Sequence, residues 1–193
     1  MRKQKNNKYE IKKEKMKMSE LWDIYDINRK KTGRLAERET YEFKEGEYYL
    51  IVVAVIINSQ KQILTAKRSE IKKREPLKWE LTGGGVRAGE DSLEAIIRET
   101  KEEIGLTFKP EEAKLIKAKI KNKDNGSGAF KDFWLFKLDV EADKIKFPDK
   151  EAMDAKWVSI DEFMKMQERG EVISGIDFGK EEYELALKIL TKD

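Results

Sequence analysis

The sequence contains no cysteine and no histidine. Without cysteine there is no disulfide, no thiolate metal site and no cysteine nucleophile. Without histidine there is no imidazole general base, no serine–histidine triad and no histidine-ligated zinc. Any chemistry must use carboxylates, lysine, arginine, hydroxyls or a bound cation. Long hydrophobic runs are missing too. The longest, Tyr48 to Ile57, is too short to span a bilayer. The N-terminus is charged and lacks the apolar region of a signal peptide. A soluble cytoplasmic protein with no membrane partner is the expectation.

A basic surplus is absent from most of the chain, although the net charge of +3 suggests one. Residues 1–17 hold eight Lys/Arg and two Asp/Glu. Taking these from the totals of 41 and 38 leaves 33 basic against 36 acidic residues, a net of −3. Residues 1–17 therefore read as a solvated basic extension, with translation beginning at Met16 or Met18 as an alternative origin. Residues 18–193 read as one domain with no footprint for nucleic acid.

Along that domain, Leu21–Ile27 alternates apolar and polar residues, and Arg34–Glu39 returns after a turn at Asn28–Gly33. This predicts an N-terminal hairpin within 18–45. Tyr48–Ile57 predicts a central strand buried on both faces. Gln62–Arg68 follows as its neighbour, and Lys78–Thr82 is a short extended piece before three glycines. Lys114–Lys121 and Phe130–Val140 predict strands joined across Asn122–Gly128, and Ala155–Val158 a last short strand. Ile160–Glu168 and Lys180–Leu190 are amphipathic, so 160–193 is assigned to C-terminal helices. Strands on both sides of a central helix imply an α/β fold of mixed α+β character, a mixed sheet packed between helices.

The central helix carries the chemistry. Asp91 and Glu94 fit a capping box and Gly105 a C-terminal stop. Leu93, Ile96, Ile97, Thr100 and Ile104 form an apolar stripe. Glu99, Glu102 and Glu103 fall at i, i+3 and i+4 on another flank. Three carboxylates so close repel one another unless something positive lies between them. A divalent-metal site with hard oxygen ligands is one resolution.

The stretch Gly84–Leu106 matches the Nudix box, G-x5-E-x7-R-E-U-x-E-E-x-G-U, where U is a bulky aliphatic residue. All seven invariant letters are in place, from Gly84 and Glu90 through Arg98, Glu99, Glu102 and Glu103 to Gly105. Leu106 fills the last U, and Thr100 is the one departure. The sequence thus resembles the Nudix hydrolases. Trp79-Glu80-Leu81-Thr82-Gly83-Gly84 is similar to the family's approach to the box, with Thr82 in place of proline. Ile63–Arg68 is similar to its strand ending in arginine. Glu151, six residues before Trp157, is similar to its acidic loop residue. Leu21–Gly33 resembles an N-terminal extension of Nudix proteins related to isopentenyl diphosphate isomerases.

The resemblance implies an α/β/α sandwich. It implies hydrolysis of a nucleoside diphosphate linked to another group, with Mg2+ or Mn2+ as cofactor. It implies Glu99, Glu102, Glu103 and the Gly83 carbonyl as metal ligands, and an Arg98 that orients Glu90 or Glu99. Glu102 and Glu151 are both open as general base. Arg68 and Glu90 are assigned to substrate binding. A small-molecule nucleotide or diphosphate is the implied partner. Family members are often homodimers, and the N-terminal hairpin is a candidate interface. Two alternatives stand beside hydrolysis. One is a non-catalytic nucleotide-binding module, disfavoured by the intact glutamate trio. The other is an isopentenyl diphosphate isomerase, which needs a cysteine and histidines this chain lacks. The family's markers for particular substrates are absent after the box, so the second moiety stays open. Trp22, Trp79, Trp134 and Trp157 are expected to pack in or at the edge of the core.

Overall fold

The computed structural model describes residues 20–191. The expectations for residues 1–17 lie outside the described residues. The sheet is built on β3 (Tyr48–Ile57), whose burial on both faces is as the apolar run predicts. Leu50, Val52, Ala54 and Ile56 point to one core, and Val53, Val55 and Ile57 to the other. A strand alternates side chains across the sheet, so a run apolar at every position demands cover on both faces.

The first cover is α1 (Ser92–Ile104), which buries Ala95, Ile96 and Ile104 against the even-numbered face. Ile96 and Ile104, each removed from water, contribute about 1.5–3 kcal/mol apiece. The second cover is α2 (Ile160–Glu168) and α3 (Lys180–Leu190). They set Phe163, Met166, Tyr183 and Ala186 against the odd-numbered face. The result is an α/β/α sandwich.

β3 pairs in parallel with β8 (Gly128–Lys137) in unbroken register from Tyr48↔Gly128 to Ile57↔Lys137. β7 (Lys114–Asn122) lies antiparallel on the outer side of β8. β4 (Ile63–Arg68) joins β3 and carries β5 (Trp79–Glu80) and β9 (Ala152–Val158). β6 (Gly83–Gly85) lies antiparallel on β3. The sheet is therefore mixed, as expected.

β1 (Leu21–Tyr25) and β2 (Lys31–Glu37) form a hairpin that meets β3 at Tyr25↔Tyr48. Its turn comes earlier than the sequence suggests. The Asp26 carboxylate accepts from the amides of Asn28 and Lys30, and Arg29 takes φ 60°. This side-chain turn outcompetes continuation of the strand. β9 begins at Ala152 rather than Ala155, because its ladder with β4 extends to Arg68↔Ala152. Among the described residues, no helix is long and apolar enough to cross a membrane.

Candidate active site

The site forms where β6 runs under α1. The helix start is fixed locally. Asp91 Oδ1 accepts from the Leu93 and Glu94 amides, and Glu94 returns a carboxylate to the Asp91 amide. Its end is fixed by Gly105 at φ 68°, a left-handed residue that glycine adopts at no steric cost. Between these stops the apolar stripe sets the rotation of the helix. Ile96, Thr100 and Ile104 are fully buried, while Leu93 and Ile97 are half-buried at the edge. Ala95 belongs to the core as well.

With that rotation, Glu99 and Glu103 face β6 rather than solvent, only 7% and 6% exposed. The glycines let them approach. A Cβ on Gly84 would lie 2.5 Å from Glu99 Oε1. The Gly83 amide donates to Glu103 Oε2 at 3.2 Å. The Gly85 carbonyl accepts from Arg98 Nη2 at 3.1 Å. In an antiparallel ladder these alternate backbone groups turn away from the partner strand. β6 therefore offers them to the helix.

Arg98 is the hub. Nε and Nη2 donate to the two oxygens of Glu90 at 2.7 and 2.9 Å. Nη1 donates to Glu99 Oε1 at 2.6 Å and to Glu102 Oε2 at 3.1 Å. The sequence offered Glu90 or Glu99 as its partner, and the fold uses both. Burial pushes the Glu90 carboxyl up, but Arg98 and the Arg87 amide outweigh it and hold it below the ordinary carboxylate range. Glu102 is the exposed member of the trio, and Arg87 grips it through Nη1 and Nη2 at 3.3 and 3.1 Å.

Glu103 is the anomaly. Burial, with Glu80 and Glu99 as negative neighbours, holds its carboxyl well above the ordinary range, against Lys72 and the Gly83 amide. Glu99 is raised too, first by burial and then by Glu102 and Glu20, with Arg98 opposing. Two buried acids side by side are costly to ionise without a cation.

Arg68 and Glu151, the residues expected outside the box, lie beside this center. Arg68 donates to Glu80 Oε2 at 2.7 Å and to the Arg74 carbonyl at 2.9 and 3.2 Å. Glu151 is ion-paired with Lys72. Glu80 itself is 7% exposed and within electrostatic reach of Glu103. Sequence reading passed over it as a site residue, although it stands inside the approach to the box. Arg87, Lys72 and Glu20 carry no such signal, and only the fold brings them near. Trp79 is half-buried between Lys156 and Lys67, whose ammonium groups sit 4.1 and 5.9 Å from its ring. The indoles of Trp134 and Trp157 donate to Ser92 Oγ and the Val140 carbonyl.

Among the described residues, no group of three carboxylates is arranged to hold a metal ion. Arg98 lies among Glu90, Glu99 and Glu102 instead. The chemistry of the donor set nevertheless fits a hard divalent cation. The donors are all oxygen, and ionising the buried pair Glu99 and Glu103 is favoured by a cation between them.

The family model for the NUDIX domain matches residues 47–174. An uncharacterised Nudix hydrolase of Listeria innocua is 30% identical over 155 residues, 80% of this chain and 88% of its own. An RNA pyrophosphohydrolase of Ruthia magnifica is 42% identical over 65 residues, 33% of this chain and 34% of its own. A crystal structure of a Deinococcus radiodurans protein superposes with a TM-score of 0.66 at 19% identity, covering 89% of this chain and 98% of the other. With a box whose glycines, arginine and glutamates meet in one place, this chain belongs to the Nudix hydrolase family.

Proposed function

We propose that the protein hydrolyses a phosphoanhydride bond in a nucleoside diphosphate linked to a second group, with Mg2+ or Mn2+ bound at the acidic face of α1. The observation that carries this reading is the burial of Glu99 and Glu103 against the β6 backbone, with both carboxyls raised first by that burial and then by neighbouring carboxylates. Glu99 and Glu103 would hold the cation, with Glu102 beside them and the Gly83 carbonyl as a backbone donor. A cation there would neutralise the diphosphate and lower the pKa of a bound water.

The chain's own residues do the rest. Arg98 fixes Glu90, Glu99 and Glu102 as a unit through charge-assisted hydrogen bonds. Gly84 keeps Glu99 at the strand. Glu102 reaches the exposed side and takes the proton from the attacking water in this reading. Glu151, held by Lys72, is the second candidate for that role. Lys72 and Arg87 supply positive charge around the carboxylates, to which a polyanionic substrate responds. Arg68 acts on this site through Glu80, since its guanidinium donors already bond within the chain.

The test is a panel of nucleoside diphosphate derivatives, with 5′-triphosphorylated RNA included because of the partial relative's name. Phosphate or nucleotide release is read with Mg2+ and with Mn2+. Glu102→Gln and Glu103→Gln should each reduce turnover about 100-fold or more, the scale of losing a positioned acid–base group. Independently of activity, Mn2+ should raise the melting temperature of the wild type and not of Glu103→Gln. No turnover on any panel member, with binding retained, would favour the non-catalytic module.

A further inference from the structure

Trp22, expected in or at the edge of the core, and Tyr49 of β3 are half-buried and stand next to the acidic site. Their rings stack with centroids 4.9 Å apart at 16°. Phe43 lies 4.8 Å from Tyr49 and 6.5 Å from Trp22, and Tyr41 meets Phe43 edge-on. The Trp22 ring rests on Gly85, where any Cβ would run into it. The next residue back, Gly84, carries Glu99 on its other face. One glycine strand therefore separates the carboxylates from an aromatic cluster.

The cluster is flanked by cations. The Arg38 guanidinium lies 5.5 Å over Trp22, and the Lys123 ammonium 5.2 Å over Tyr49. Arg38 is also within electrostatic reach of Glu99 and Glu151. At the Phe43 end of the cluster a cleft of about 560 Å³ is lined by Tyr41, Glu42, Phe43, Lys44, Glu45, Lys123 and Asn125, with Trp22 and Tyr49 outside its lining. Ligand clefts commonly run from about 300 to 1,000 Å³. Tyr41, Tyr48 and Tyr183 each donate a hydroxyl hydrogen bond within the chain. Among the described residues the Tyr49 hydroxyl has no such partner.

We propose that the Trp22–Tyr49–Phe43 cluster is the seat of the heterocyclic base of the substrate. Lys123 covers the Tyr49 face until the base enters. This rests on the reading of the substrate as a nucleotide. Planar π-systems stack on aromatic rings with little dependence on base identity. The unpartnered phenol supplies one polar contact to the base edge. Arg38 and Lys123 stand where the charge of the nucleotide's phosphates is balanced as it passes from cleft to carboxylates. Because Trp22 comes from the β1–β2 hairpin, that hairpin contributes a substrate-binding wall.

The test uses nucleoside 5′-monophosphates, which bind through base and phosphate without needing turnover. The four tryptophans give four indole N–H signals, and Trp22→Phe assigns the one from Trp22. AMP or CMP should shift that signal saturably, and ribose 5-phosphate at equal concentration should not. Tyr49→Leu should weaken nucleotide binding about tenfold or more, the scale of one base stack. Lys123→Ala, at an exposed turn, gives a second variant that does not depend on core packing. It should change the affinity at least threefold. An unchanged Kd in both variants, or an equal shift of the Trp22 signal by ribose 5-phosphate, overturns the seat. If nucleotides shift Trp22 while no derivative is hydrolysed, the seat stands and the hydrolase reading falls. If derivatives are hydrolysed while the nucleotide shifts only other indoles, the seat falls and the hydrolase reading stands.

Discussion

Gly84→Ala isolates the position of one carboxylate. None of Gly83, Gly84 and Gly85 has a positive φ, so alanine is conformationally acceptable at each. What decides the outcome is the atom the new methyl meets. At Gly84 it would lie 2.5 Å from Glu99 Oε1, 2.6 Å from Cδ and 2.8 Å from Oε2. Relief to an ordinary contact of about 3.5 Å moves the carboxylate roughly 1 Å. Glu99 is a flexible side chain at its far end, so the fold can absorb that movement. It costs part of the Arg98 hydrogen bond, about 1–3 kcal/mol. The lower backbone entropy of alanine in the unfolded chain offsets about 0.4–1 kcal/mol of this. The net is on the order of 1 kcal/mol, or about 2–4 °C in Tm for a domain of this size. A misplacement of about 1 Å at a reacting center costs on the order of 100-fold in rate. The expected variant therefore folds, melts within a few degrees of wild type, and loses about 100-fold in kcat. Calorimetry and a phosphate-release assay measure the two quantities. Full activity in a folded Gly84→Ala protein would refute a need for Glu99 at the strand. Gly83→Ala is the contrast, because its methyl meets the Val52 carbonyl and Val53 backbone, which cannot swing aside. That change should unfold the protein or lower its stability by about 3 kcal/mol, with lost activity following lost fold.

Arg29→Ala should destabilise by about 3 kcal/mol in urea unfolding, because it strips the ion-pair partner from Asp132, which is 1% exposed and otherwise bonded to Ser92 Oγ. A loss below about 1 kcal/mol would mean the hairpin tip is not anchored there. Glu90 gives a pH dependence. Its folded carboxyl is held below the unfolded one, so its contribution is fully present above the ordinary value near pH 4.5 and is lost as pH falls through the folded value. Glu90→Gln should therefore cost stability at pH 7 and flatten the acid limb of the Tm–pH curve. An unchanged limb would remove the Arg98–Glu90 pair as a source of stability.

The legible parts of this molecule are local in origin. Asp91, Glu94 and Gly105 announce the ends of α1 because capping involves residues within one turn. The same helical spacing that sets Ile96 and Ile104 inward puts Glu99 and Glu103 on one flank. Less legible was that this flank is buried. Its burial depends on β6 lying on β3, a pairing between segments some thirty residues apart that no periodicity reports. The same holds for Glu80 with Arg68, and for Arg29 with Asp132, partners 12 and 103 residues apart. The early turn at Asp26–Lys30 was missed because an Asp side chain bonded to two backbone amides outweighed the alternation of Leu21–Ile27.

The in-register parallel pairing of β3 with β8 has a temporal consequence. Tyr48 finds Gly128 across a separation of 80 residues, so the central pair of the sheet cannot close on a growing chain until β8 has been synthesised. At about 5–20 residues per second, that interval lasts from about 4 to 16 s. During it, the edge of β3 that β8 will occupy stays unsatisfied. The hairpin, β4 and β6 precede β8 in sequence and pair with the other edge of β3. Their early pairing would halve the exposed edge of an aggregation-prone segment, and would assemble the glycine side of the candidate site before the sheet is complete.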